Sequence, residues 1–169
     1  MLPLLLNNLA NNFPMSQLPL LAIVGEPNVG KSTLMNKIYG ERVAVTSVVA
    51  GTTRDRQYLD SVWNGVDFTM VDTAGVTFGN KQELEAELAE QIDVATEEAN
   101  MLLLVVDGKQ DADIIDRKAM LKFRKLKKPI VVAVNKLDSP KNLEAIVAPF
   151  LRMGIKHVYP VSALTGRGI

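Results

Sequence analysis

The residues able to handle phosphate, metal and base chemistry gather in a few short runs. The first is GEPNVGKST, residues 25–33. Gly25 to Ser32 fits the pattern G-x-x-x-x-G-K-S/T, and it stands where that pattern has a mechanism, after an apolar run and before a helical one. Gly25 and Gly30 let the backbone wrap so closely that successive N–H groups can face phosphate oxygens. The following helix N-terminus adds partial positive charge at the same point. Lys31 can reach terminal phosphates and Ser32 can offer its hydroxyl to Mg²⁺. Glu26, Pro27, Asn28, Val29 and Thr33 complete the cradle. A glycine-rich turn that merely contains lysine would rarely match this pattern in this place.

The second run is VDTAG, residues 71–75. Asp72 at a strand end can orient a water of the Mg²⁺ shell. Gly75 can present its N–H to a γ-phosphate with no side chain in the way, and Thr73 and Ala74 lie between them. Alone, D-x-x-G is often an ordinary turn; its distance downstream of the cradle gives it weight. Between the two lies AGTTRDR, residues 50–56. A threonine there can complete the Mg²⁺ shell when triphosphate is bound. Thr53 is the first choice and Thr52 the alternative, and Arg54 receives no catalytic role.

The third run is VNKLD, residues 134–138. Asp138 can accept hydrogen bonds from guanine N1–H and the exocyclic amine. Adenine lacks that donor pair and would leave the carboxylate unpaired, which discriminates more strongly than shape. Asn135 can contact the other base edge and tie this loop to the cradle, while the stem of Lys136 can cover a base face. In Ser162-Ala163-Leu164, the Ala163 N–H can donate to guanine O6. Joined to NKLD, this run selects guanine.

These runs need a frame. LPLLAIVG, MLLLVVDG, PIVVAVNK and HVYPVSA read as strands, the first three as continuous apolar runs that must be buried on both faces. YLDSVW and VDFTMVD are joined by Asn64-Gly65, a two-residue hairpin signal. Helices are expected at 31–40, about 82–99, 111–127 and 141–153, and a long loop over 41–56. The alternation implies an α/β fold, a mostly parallel sheet with one antiparallel pair and helices on both faces. Ligands in such sheets bind beyond the carboxyl ends of the strands. The loops to watch follow Gly25, Asp72, Asn135 and Ser162.

The chain has 169 residues, 47 % of them hydrophobic and 22 % charged, which suits one domain with a sizeable core. Nineteen basic residues balance nineteen acidic ones, so no global charge announces a nucleic-acid partner. The absence of cysteine excludes disulfides, thiolate metal sites and thiol nucleophiles, and fits a reducing cytoplasm. No run approaches the roughly 18 apolar residues of a membrane span. Residues 1–17 lack a basic n-region, and Asn-Asn pairs break their apolar run, so they are expected to be a poorly ordered extension rather than a signal peptide.

With its loops in this order, the chain from about Leu18 to Ile169 resembles the Ras-like P-loop GTPases. GEPNVGKST, GTTRDR, DTAG, VNKLD and SALTGRGI are most similar to the bacterial Der (EngA) GTPases, with MnmE and Era the nearest alternatives. RKLKKPIVVAVNKLD is also similar to the first GTPase domain of Der. The resemblance implies a six-stranded sheet with one antiparallel edge pair, GTP and GDP as ligands with Mg²⁺, and a slow cytoplasmic GTPase. It also implies that Asn28 ligates K⁺, because members with asparagine there bind a K⁺ ion bridging the phosphates. Many small GTPases carry a water-orienting glutamine after the D-x-x-G glycine, where this sequence has Val76. K⁺ at Asn28 would supply the missing charge, with Lys31, Thr53 and Gly75 as the other groups bearing on catalysis. Der proteins act in large-subunit ribosome assembly through two GTPase domains and a KH-like domain. Residues 18–169 correspond to one GTPase domain without its final helix. Contact with the large subunit or its rRNA is therefore expected of domains outside this sequence.

The rival from another class is a nucleotide-gated binding switch with negligible hydrolysis, its loops 41–57 and 75–90 ordering around the γ-phosphate. An ATP-dependent kinase is disfavoured by Asp138. KFRKLKK, residues 122–128, reads first as cations favoured at a helix C-terminus rather than as an RNA contact. Glu83, Glu85, Glu87 and Glu90 read as the solvated face of a helix, and His157 as structural.

Overall fold

The computed structural model describes residues 18–40, 57–63, 66–72, 97–110, 128–139 and 142–169. The expected extension 1–17, the expected loop with Thr52, Thr53 and Arg54, Asn64-Gly65, Thr73 through Val76, the glutamate run, the helix expected over 111–127 and most of the basic run lie outside the described residues. So does residues 82–96 of the expected 82–99 helix; Glu97 and Glu98 are helical, and Ala99 is already out of the helix.

The described strands are β1 (Leu20–Val24), β2 (Gln57–Trp63), β3 (Val66–Asp72), β4 (Met101–Asp107), β5 (Ile130–Asn135) and β6 (His157–Pro160). They form one six-stranded sheet in the order β2-β3-β1-β4-β5-β6. Only β2 and β3 run antiparallel, and the opposed pair Trp63 and Val66 leaves two residues between the strands, as a tight hairpin requires. Every other pairing is parallel.

Successive strand side chains point to opposite faces, so an apolar run supplies two cores. Leu21, Ile23, Met101, Leu103, Val105, Val131 and Ala133 pack on one face with Leu34, Met35 and Ile38. Those last three belong to helix α1 (Lys31–Gly40). Ala22, Val24, Leu102, Leu104, Val106, Val132 and Val134 pack on the other with Phe150 of helix α2 (Leu143–Arg152). The expected covering of both faces is thus present.

Three boundaries are tighter than the residue pattern suggests. β1 starts at Leu20, where Asn100 clamps its first peptide: the Leu20 N–H donates to Asn100 Oδ1 at 2.7 Å, and the Asn100 N–H donates back to Leu20 O at 2.8 Å. Helix α2 starts after Asn142, whose Oδ1 accepts from the Ala145 N–H as an N-cap. It ends before Gly154, whose positive φ of 85° allows the chain to leave the last turn. β6 ends at Pro160 rather than Ala163, because beyond Val161 the Ser162 N–H turns away from β5 to bond Arg167 O at 2.9 Å.

Candidate functional site

The carboxyl ends of β1, β4 and β5 lie side by side, since these three strands are consecutive neighbours in the sheet. Their following loops meet there. Gly25 follows β1 with its backbone so close to β4 that a Cβ would collide with Val105 O. The loop then passes through two left-handed residues, Asn28 (φ 63°) and Gly30 (φ 96°), before α1 starts. Asparagine is among the few non-glycine residues that tolerate this region, so the backbone gives Asn28 one reason to be there. Its side chain is exposed. Lys31 is buried and folds back over the loop, donating from Nζ to Gly25 O at 2.7 Å and Glu26 O at 2.9 Å. Both bonds hold the cationic head against the cradle that the glycines shape. Ser32 and Thr33 are exposed on the first turn of α1.

Asn135 joins this loop to the others. Its buried amide donates from Nδ2 to Val29 O at 2.9 Å, and its Oδ1 accepts from the Ala163 N–H at 2.9 Å. One side chain therefore links the cradle, the NKLD loop and the Ser162–Leu164 loop. Gly30 is required for this fit, because a Cβ there would strike Asn135 Nδ2. The Ala163 N–H, expected to face guanine O6, is engaged by Asn135 in the chain alone.

Asp138 accepts from the Ser162 hydroxyl through Oδ1 at 2.7 Å, while Lys109 Nζ stands 3.5 Å from Oδ2. The Ser162 hydrogen bond holds its carboxyl below the ordinary value of 3.8; partial burial opposes this and the Lys109 charge adds to it. Lys136 sits in the left-handed region at φ 65° and pairs through Nζ with Asp107 Oδ2 at 2.7 Å. Leu164 is largely exposed beside Ala163. Asp72 ends β3 in register with Ile23, which places its backbone beside the carboxyl end of β1. Thr53, Thr73, Ala74 and Gly75 lie outside the described residues.

Comparison with known proteins adds the decisive observation. Residues 20–136, which run from the first strand through the cradle to the start of the NKLD loop, match the family of 50S ribosome-binding GTPases. The chain belongs to that family. Among curated members, the chain is similar to GTPase Der of Cyanothece sp. at 43 % identity over 151 residues, and to GTPase Der of Fusobacterium nucleatum at 41 % over 144. These alignments cover 89 % and 85 % of the chain but 33 % of each relative, so the chain spans about a third of their length. Among solved structures, Era of Aquifex aeolicus bound to GDP and AlF₄⁻ is similar with a TM-score of 0.66 and 32 % identity, over 89 % of this chain and 52 % of that one. Era in complex with MgGDPNP and a segment of 16S ribosomal RNA gives 0.64 and 30 % over the same shares. The Ras-like P-loop GTPase fold and the Der resemblance both hold.

The loop after Asp107 is not among the four that the sequence singles out, yet it joins the candidate site through Lys136 and Asp138. Asp107 and Lys109 reach Lys136 and Asp138 because Gly108 lies flat against the next loop, its N–H donating to Asn135 O at 2.8 Å. A Cβ on Gly108 would meet the Leu137 side chain at 2.7 Å. The available signal was a carboxylate and a glycine ending a buried parallel strand, at the edge where ligands bind.

Proposed function

We propose that this chain is a GTP-binding and GTP-hydrolysing domain, spanning residues 18–169, that works with Mg²⁺ and K⁺. The observation that carries this reading is the double engagement of Asn135 with Val29 and Ala163. Phosphate cradle and base loops are thereby one preorganised unit, suited to reading triphosphate and base together. Membership of the GTPase family supports the same reading.

In this reading Asp138 accepts the guanine N1–H and exocyclic amine. Its Oδ1 is already oriented by Ser162, and the base must exchange with Lys109 at Oδ2. The Ala163 N–H, now bonded to Asn135, would be shared with guanine O6. Lys31 and the N–H groups of the cradle would stabilise charge on the phosphates, and Gly75 would offer its N–H to the γ-phosphate. The donor types suit Mg²⁺: the Ser32 and Thr53 hydroxyls are hard oxygen ligands, the Asp72 carboxylate would orient a water of the shell, and the ion would supply positive charge to the phosphates. Asn28 suits K⁺, since its exposed amide is a neutral oxygen donor on the cradle itself.

The large ribosomal subunit or its rRNA is the partner we propose for a longer protein containing this domain, acting in the cytoplasm. The family description and the Der relatives support that reading. No described helix is long and apolar enough to cross a membrane.

Asp138→Asn tests the base assignment. The exchanged donor and acceptor should cost about a hundredfold in GTP affinity and raise affinity for xanthosine triphosphate, measured by competition for one labelled nucleotide. Retained GTP affinity with no xanthine gain would overturn it.

A further inference from the structure

Lys136 is held in an unusual way. A lysine in the left-handed region costs roughly 1–2 kcal/mol relative to its ordinary backbone, and such a conformation persists only where its surroundings impose it. Both flanking peptides are pinned: Asn135 O accepts from the Gly108 N–H at 2.8 Å, and the Leu137 N–H donates to Val161 O at 3.1 Å. The side chain is pinned as well, by the 2.7 Å ion pair with Asp107.

Asp107 is built for that grip. Its side chain is 11 % exposed against 34 % for Lys136, so the pair is shielded well beyond an ordinary surface ion pair. Its second oxygen accepts from the Lys109 N–H at 2.9 Å, which fixes the carboxylate plane. Asp107 ends β4 opposite Asn135 in register, so the grip crosses from one strand end to the next. Anchoring the ammonium leaves the aliphatic stem of Lys136 as an ordered apolar surface.

We propose that Asp107 is a positioning residue of the base site, setting the Lys136 stem as a preformed wall against which the guanine ring lies. The inference rests on the guanine-nucleotide reading above. Without the grip, Lys136 would have to be ordered at the moment of binding, and the affinity for ligands carrying a base would fall. Ligands that use the cradle alone would be unaffected.

The test uses the full chain, with GDP and pyrophosphate titrated separately in the presence of Mg²⁺. Asp107→Asn keeps an acceptor for the Lys109 N–H while removing the charge. It should weaken GDP about tenfold, as expected for loss of one charge-assisted bond in a partly exposed setting, and leave pyrophosphate within about twofold. In Lys136→Met, the further change Asp107→Asn should add almost nothing, because it acts through a side chain no longer present. Should Asp107→Asn not fold, Asp107→Glu carries the same comparison with a displaced carboxylate. Unchanged GDP binding, equal losses for GDP and pyrophosphate, or additive losses in the double variant would each overturn the inference while the guanine reading stands. A wild-type chain that binds ADP as tightly as GDP would overturn both.

Discussion

At the scale of single residues, Asn28 now has two competing reasons to be asparagine. Its φ of 63° favours glycine or asparagine on backbone grounds alone. The proposed K⁺ role needs the amide oxygen besides, and Asn28→Gly separates the two, keeping the left-handed conformation accessible while deleting the ligand. Hydrolysis by the wild-type chain should run about tenfold faster in K⁺ than in Na⁺ at equal ionic strength, equivalent to about 1.4 kcal/mol of barrier. In Asn28→Gly the two rates should converge. Equal wild-type rates would remove K⁺ from the mechanism and leave Asn28 as a backbone device. The phosphate and base roles proposed here could be read from the sequence because each needs particular residue types at short spacing. For Asp107 only its place at a strand end was legible, because its partner, Lys136, is 29 positions away on the neighbouring strand end. An aspartate before a glycine is by itself an ordinary turn.

At the scale of elements, the strands were readable from apolar runs because a strand covered on both faces has no polar side to confuse its period. The hairpin was readable from Asn64-Gly65 and the spacing of its strands. Boundaries were harder, since they depend on contacts far away in sequence. Asn100 fixes the start of β1, and Arg167 draws Ser162 off the end of β6. Helix α2 shows a local device instead, the Asn142 cap on Ala145. Its Phe150 is buried in the core on one sheet face, while the site is built from loops at the strand ends. Asn142→Ala should therefore cost about 1 kcal/mol, a fall of about 2–4 °C in melting temperature for a domain of this size, by calorimetry. GDP affinity should stay within about twofold. A large affinity loss would mean that α2 is coupled to the nucleotide loops, contrary to the separation seen here.

At the scale of the whole molecule, the charges that tie the strand ends together are also those proposed to hold the base, which predicts how folding and binding respond to acid. Burial alone would raise the Asp107 carboxyl, but the Lys136 hydrogen bond, the Lys109 N–H and both ammonium charges outweigh it and hold the group below 3.8. A carboxyl depressed in the folded state binds protons less readily there than in the unfolded chain. Its contribution to stability is therefore complete above the unfolded value and is lost as pH falls through the folded one. Asp138 is lowered too, so the carboxylate proposed to accept guanine stays charged over the same range. Between about pH 8 and pH 5, neither the Asp107 contribution to stability nor the charge on Asp138 should change. The stability difference between wild type and Asp107→Asn, from urea unfolding at each pH, should accordingly be constant above about pH 5 and shrink below about pH 4. GDP affinity should decline in that acidic window as Asp138 takes up its proton. A difference that closes near neutral pH would show that the Asp107–Lys136 pair is not what this carboxylate contributes, and that another group governs the strand ends where the loops converge.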